Sequence, residues 1–310
     1  MAEHEEVTIK KRKIVCKKCG STDTSFNGKY NGNQYYLCKN CGMNFSGSNS
    51  YFKMKYPKDH NIKALTYYYN GMSYRNINHT FNDILEVSLP KSTFYRWVIK
   101  FSKLVNNYVL TLHPQLSDTW IADETVIDIW GKKYWFWDII DEDTRFLIAS
   151  HISRVRSIKE ATKLFYMAKL RSNIRPKVIR TDKMVSYHGA FNKVFYARSW
   201  DKKVMHLTSE GFGSDFNINL IERFHGTIKQ RTKVMRDLKR LKSARIVLDG
   251  FVTHYNFLME HSYLNYKTPA TIAGIGDRIT NWGDLIELAI NSPKYNPGKD
   301  IDWEKEFGIK

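Results

Sequence analysis

Between residues 118 and 275 the hydrophobic pattern alternates between strand and helix, and that order restricts the fold more than any other feature. Trp120–Trp130, Tyr134–Ile140 and Phe146–Ile152 are rich in Ile, Val, Phe and Trp, with turn residues between them at Gly131-Lys132 and Asp141–Thr144. Three antiparallel strands in series are predicted. Ser157–Leu170 has helical spacing with Ser157 at its N-cap, and Lys177–Arg180 is a short apolar strand after Pro176. Gly189–Phe195 is helical, Lys203–Leu207 is a fifth strand, and helices follow from Asn219 to about Met235 and from Ser243 to Met259. The order β-β-β-α-β-α-β-α makes a mixed sheet with helices on its faces.

Charge narrows the partners. The 310 residues hold 49 Lys and Arg against 31 Asp and Glu, a net charge of +18, which points to a polyanion. With 42% hydrophobic and 14% aromatic residues, the chain is too apolar for a disordered basic tail. No apolar run reaches membrane-spanning length, so no membrane role is expected. The segment MAEHEEVTIKKRK lacks the apolar centre of a secretory signal. All four cysteines lie within the first 41 residues, unlike a secreted disulfide scaffold, so the reducing cytoplasm and its nucleoid are the expected location.

Those cysteines read Cys16-x2-Cys19-x18-Cys38-x2-Cys41. A tetrahedral ion needs four soft ligands brought together by two tight turns. Each C-x-x-C supplies one turn, while Asn27–Leu37 alternates and turns at Asn31-Gly32 as a hairpin would. A structural, closed Zn2+ ribbon is expected over residues 1–50, with Lys17, Lys18, Lys29 and Lys39 able to touch phosphate.

Residues 51–117 have the pattern of a helix-turn-helix. Ile62–Tyr69 is helical, Gly71 breaks it, Ser73–Phe81 is a short second helix, and Thr93–Val105 a third. Phe94, Trp97, Val98, Phe101 and Leu104 form the apolar face of the third helix. Lys91, Thr93, Tyr95, Arg96 and Lys100 lie off it as candidate DNA contacts. Over residues 1–118, 17 Lys and Arg oppose 8 Asp and Glu, which favours a DNA-facing role over a purely structural one.

Three acids stand out in the third region. Asp123 lies mid-strand in an apolar stretch, where a carboxylate is costly unless paired or bound to metal. Asp182 directly follows a strand, and Glu222 lies on the helix from Asn219, where Ile221, Phe224, Ile228, Met235 and Leu238 mark the buried side. Phosphoryl chemistry with two divalent metals requires such carboxylates to converge. His225, Lys229 and Lys233 on the same helix are candidate DNA contacts, His225 alternatively shaping the site, and the segment 217–245 holds nine Lys and Arg against two Asp and Glu. A regular strand points Glu124 and Asp128 to the face opposite Asp123, so both are set aside, Asp128 as a strand-end polar residue. Asp138, Asp141 and Asp143 are taken as hairpin acids, and Asp215 as a weaker alternative third ligand. Trp120, Trp130, Trp135 and Trp137 suit core packing better than base stacking.

The runs Ala-Asp-Glu-Thr (122–125), Arg-Thr-Asp-Lys (180–183) and Asn-Leu-Ile-Glu-Arg-Phe-His-Gly-Thr-Ile-Lys-Gln-Arg-Thr (219–232) resemble the three signature blocks of DDE transposases. The nearest are those of bacterial and archaeal insertion sequences with a retroviral-integrase-like core. The ribbon and helix-turn-helix prefix, Thr-His-Tyr-Asn (253–256) and Lys-Thr-Pro-Ala (267–270) are similar to further landmarks of that group. The resemblance implies a multidomain α+β protein: zinc ribbon (1–50), helix-turn-helix domain (51–117), ribonuclease-H-like catalytic core (118–275), and a tail (276–310) without assigned role. It implies Asp123, Asp182 and Glu222 as catalytic ligands of two Mg2+ (Mn2+ able to substitute), and Lys229 as a contact to the element end. It further implies action on double-stranded DNA, both terminal inverted repeats and target, by a homo-oligomer of at least two chains. The spacing between Asp182 and Glu222 exceeds that usual in the nearest members, which places an enlarged loop near 208–216. The alternatives are a domesticated or regulatory DNA-binding protein on the same frame, and a stand-alone ribonuclease-H-type nuclease. The DNA-reading prefix and Lys229 weigh against the last.

Overall fold

A computed structural model describes residues 14–16, 19, 21–30, 33–46, 56–199, 203–208, 218–234 and 238–292. The expected enlarged loop, Asp215, the side chain of Lys233 and the end of the tail lie outside the described residues. Among the described residues, no helix is long and apolar enough to cross a membrane.

The N-terminal sheet consists of β1 (Thr24–Tyr30), β2 (Asn33–Cys38) and β3 (Asn44–Ser46), antiparallel in the order β1-β2-β3. Its core is small: Cys16, Cys38 and Phe45 are buried, with Ile14, Tyr36, Cys41 and Met43 packed around them.

Three helices follow: α1 (Lys58–Tyr69), α2 (Tyr74–Leu85) and α3 (Lys91–Val109). Ser73 caps α2, its hydroxyl accepting from the Asn76 N–H at 3.2 Å, which satisfies one of the helix's unpaired first-turn donors. Pro90 precedes α3, whose stripe of Phe94, Trp97, Val98, Phe101 and Leu104 is buried as its spacing predicts.

The larger sheet contains β4 (Thr119–Ile129), β5 (Lys132–Asp141), β6 (Leu147–Ser153), β7 (Val178–Thr181) and β8 (Met205–Thr208), in the order β6-β5-β4-β7-β8. The first three are antiparallel; β7 and β8 join in parallel. Helices α4 (Ile158–Arg171) and α5 (Val185–Phe195) follow β6 and β7, while α6 (Asn219–Val234) and α7 (Leu241–Phe257) follow β8. This mixed sheet is the ribonuclease-H-like arrangement. The side-chain alternation of β4 divides the core. Trp120 and Ala122 pack with Trp137, Leu164, Phe165 and Tyr187 on the α4/α5 side. Ile121, Ile127 and Ile129 pack on the other side with Ile221, Phe224, Ile228 and Phe251 of α6 and α7.

That second core continues into the helical prefix. Leu65, Phe94 and Phe101 belong to the same buried cluster as Phe224, Leu248 and Trp282. The short α8 (Pro269–Ile272) and α9 (Trp282–Asn291) complete the described chain. Asn281 and Asp284 form a capping box at the start of α9, which packs on α1 and α3.

Candidate catalytic site

Pairing positions the acids. Strand β7 ends at Thr181, whereas β4 runs on to Ile129, and Arg180 pairs with Ile121. Continuing that register by two residues sets Asp182 beside Asp123, where β4 has lost its parallel neighbour. At this open edge, carboxylate oxygens of Asp123, Glu124 and Asp182 lie within 4.8 Å of one another. Asp123 and Asp182 were expected together. Glu124 was set aside for facing the opposite side of the sheet, and its packing there is as expected. The edge is open, however, so its carboxylate still reaches the other two.

Each acid is held differently. The Tyr187 hydroxyl on α5 donates to Glu124 Oε2 at 2.6 Å, and the Arg156 guanidinium contacts the other Glu124 oxygen. Arg156 also meets Asp182 at 3.3 Å and lies over the Trp135 ring at 4.9 Å. The Met184 N–H donates to Asp182 Oδ1 at 2.9 Å. Burial pushes the Glu124 carboxyl up, with Tyr187 opposing and Asp123 adding to the shift. Burial likewise raises Asp182, against the Met184 N–H and with Asp123. Crowded, partly desolvated carboxylates of this kind favour a bound cation. Carboxylate oxygens are the donors Mg2+ takes, so the chemistry of the set suits such an ion.

On the other face, His225 of α6 is a correction. Expected at DNA, it is buried, its Nδ1 3.4 Å from Asp123 Oδ2 and its Nε2 3.1 Å from Asp138 Oδ2. Burial alone lowers the imidazole pKa, but the two carboxylates override it and carry it up to about 9. Asp138 is also a correction: it is no hairpin acid but a fully buried residue in mid-β5, directly across from Asp123, which burial pushes up to about 6. A turn at Gly131-Lys132 would have put Asp138 opposite Thr125. The observed two-residue turn at Trp130-Gly131 puts it opposite Asp123. That register is the signal that sequence reasoning missed. Asp141 does close the next turn, accepting from Ser117 and from the Thr144 N–H and hydroxyl.

Glu222 lies exposed in the first turn of α6, outside the group of three carboxylates, three residues before His225. Residues three apart share a helix face, so the His225 contacts draw the Glu222 end of α6 toward Asp123. Lys229 is exposed two turns further on. Of the helix-turn-helix candidates, Lys91, Arg96 and Lys100 are exposed and Thr93 is half-buried. Tyr95 turns inward, its ring against Tyr74 and its hydroxyl donating to Ser243 at the start of α7.

In the ribbon, Cys16 Sγ lies 3.6 Å from Cys41 Sγ and Cys19 Sγ 3.5 Å from Cys38 Sγ, with all four within 4.8 Å. Four sulfurs about 2.3 Å from a tetrahedral zinc are about 3.8 Å apart, so the donor set and spacing fit such an ion.

A ribonuclease-H-like sheet whose adjacent strands bring acids to one edge is the frame of a metal-dependent phosphoryl-transfer enzyme. Residues 117–261 match a family model described as a DDE domain. Two Staphylococcus aureus relatives are similar over much of this region. The transposase for insertion sequence-like element IS431mec (strain N315) is 28% identical over 196 residues, covering 63% of this chain and 84% of the relative. The transposase for insertion sequence element IS257 in transposon Tn4003 is 28% identical over 199 residues with the same coverage. Among solved structures, the HTLV-2 integrase catalytic core domain in complex with magnesium aligns with a TM-score of 0.38 at 20% identity, covering 52% of this chain and 98% of that one. A simian T-cell lymphotropic virus intasome aligns at 0.37 and 17%, covering 52% and 56%. Residues 117–261 are a DDE domain, a polynucleotidyl-transferase domain similar to that of insertion-sequence transposases.

Proposed function

We propose that this transposase binds the terminal repeats of its element, hydrolyses the phosphodiester at each end to free a 3′-OH, and joins that hydroxyl to target DNA. The observation that carries the reading is the convergence of Asp123 and Asp182 at one open strand edge, with α6 tied to it through His225. Asp123, Asp182 and Glu222 are the proposed ligands of two Mg2+ ions, with Mn2+ able to substitute. Bound there, the ions would activate the attacking oxygen and stabilise the leaving one. The protein's own groups do the rest. His225 and Asp138 fix the Asp123 carboxylate, Tyr187 and Arg156 hold Glu124, and Lys229 would grip a phosphate of the element end. Four cysteines hold a structural Zn2+, and the ribbon with α3, through Lys91, Thr93, Arg96 and Lys100, supplies contacts to double-stranded DNA. Two element ends must meet, so the working form is a homo-oligomer of at least two chains.

Strand transfer tests this directly. Protein, Mg2+ or Mn2+, a labelled duplex carrying the sequence that flanks the gene and a supercoiled target are incubated, with Asp182→Asn and Glu222→Gln alongside. Joined product from the wild type alone is expected. Joining by either variant would break the ligand assignment. Tight salt-sensitive binding without nicking would favour a domesticated DNA-binding protein.

A further inference from the structure

The tip of the β4–β5 hairpin is built against local preference. Trp130 has φ 57° and Gly131 φ 71°, so both central residues are left-handed, the mark of a type I′ turn. Such turns favour Asn, Asp or Gly at the first position, and a bulky residue there is an outlier. The turn is otherwise well made, with the Gly131 N–H donating to Asp128 Oδ1 at 2.8 Å. Nor does the tryptophan contribute to the core: it is 64% exposed, whereas Trp120 and Trp137 are fully buried.

Its surroundings are cationic. Lys239 Nζ lies 5.4 Å from the Trp130 ring centroid, and Arg240 and Lys242 follow at the start of α7. Lys132 and Lys133 flank the tip, and all five cations are exposed. Helix α6 leads to this place. Near its start, His225 touches Asp123 and Asp138, and shortly beyond its end Lys239 touches Trp130. Its exposed Lys229 lies between. A path beside β4 thus joins the acids to the tryptophan, with Lys229 along it and the lysines and Arg240 at its far end. At about 3.4 Å per strand residue, its length is about 24 Å, or about seven stacked bases.

We infer that Trp130 is a nucleobase-stacking residue, which meets an unpaired or unstacked base of the bound DNA about seven nucleotides from the reacting phosphate. The inference rests on the DNA-acting role proposed above. An aromatic face amid lysines suits any base, because stacking tolerates sequence while the cations hold the backbone.

Substitution at the tip tests it. Wild type, Trp130→Asn, Trp130→Phe and Lys132→Ala/Lys133→Ala are titrated with a mixed-sequence single-stranded oligonucleotide carrying 2-aminopurine, at several salt concentrations. Trp130→Asn relieves the left-handed strain, so its Tm should rise, while its affinity falls about tenfold with an unchanged salt slope and a lost 2-aminopurine response. Trp130→Phe should retain most of the binding. The double lysine variant should lower the salt slope instead. Wild-type affinity in Trp130→Asn would overturn the inference and leave the DNA-acting role intact. A fall in its Tm would make Trp130 a structural residue and likewise overturn it. Absence of single-strand binding by the wild type would overturn the inference, while strand transfer on the duplex decides the DNA-acting role separately.

Discussion

The two sheets of this protein are stabilised by different means. Among its described residues, the three-stranded ribbon buries two cysteines and one phenylalanine. The five-stranded sheet is covered on both faces and buries Trp120, Trp137, Phe136, Phe146 and Ile139 completely. A small sheet without a sizeable core cannot offset its chain entropy by apolar burial, and on the proposed reading a Zn2+ held by four sulfurs takes over that task. On that reading, one chain holds a module whose fold depends on a ligand beside one whose fold depends on packing.

The largest expected effect separates them. Chelation of the ribbon's metal, or Cys38→Ser, should unfold residues 24–46, since structural zinc contributes on the order of 10–16 kcal/mol in such modules. Hydrogen exchange should then show fast amides in β1–β3 and unchanged protection in β4–β7. Protected ribbon amides after chelation would break the comparison. Next in size, Trp137→Ala should cost the catalytic region about 3–5 kcal/mol in urea unfolding, with the metal-loaded ribbon unaffected.

A smaller effect concerns charge within the larger sheet. The folded-state pKa of His225 is about 9, above its ordinary value near 6.5, so its contribution is full below pH 6.5 and is lost as pH rises through 9. Asp138, pushed up to about 6, has already ionised over most of that range. Metal-free protein should therefore lose stability between pH 6.5 and 9, and His225→Gln should lack that loss. Identical pH profiles would show that the imidazole is not held charged. The smallest effect is local: Ser73→Ala removes the cap of α2 and should lower stability by about 1 kcal/mol in thermal unfolding.

The order of strands and helices was legible because each element has a strong period, as in α3 and β4. Element ends moved by a few residues, since caps and turns depend on few atoms. At the site, Asp123 and Asp182 could be read because one is an acid inside an apolar strand and the other directly follows one. Glu124, Tyr187 and Arg156 could not, because their meeting depends on β7 being shorter than β4, a property of the pairing and not of either segment. Asp138 and His225 were hidden by a turn placed one residue too late. Trp130 was expected in the core with Trp120 and Trp137 but is exposed, because it is the first residue of a type I′ turn, a position its apolar character does not reveal.

Arg231 lies nine residues beyond Glu222 on α6. Its guanidinium covers the Tyr68 ring at 4.8 Å and donates to the Tyr68 carbonyl and, at 3.4 Å, to that of Met72, at the end of α1. Mechanically, α6 is a strut. One end is bolted through His225 to the acid-bearing strands, the other through Arg231 to the helices of the prefix. A rigid helix transmits displacement along its axis, and these two anchors are about 9 Å apart. Glu222 lies one turn before the nearer anchor, so a shift of the prefix is carried along the helix to the acid.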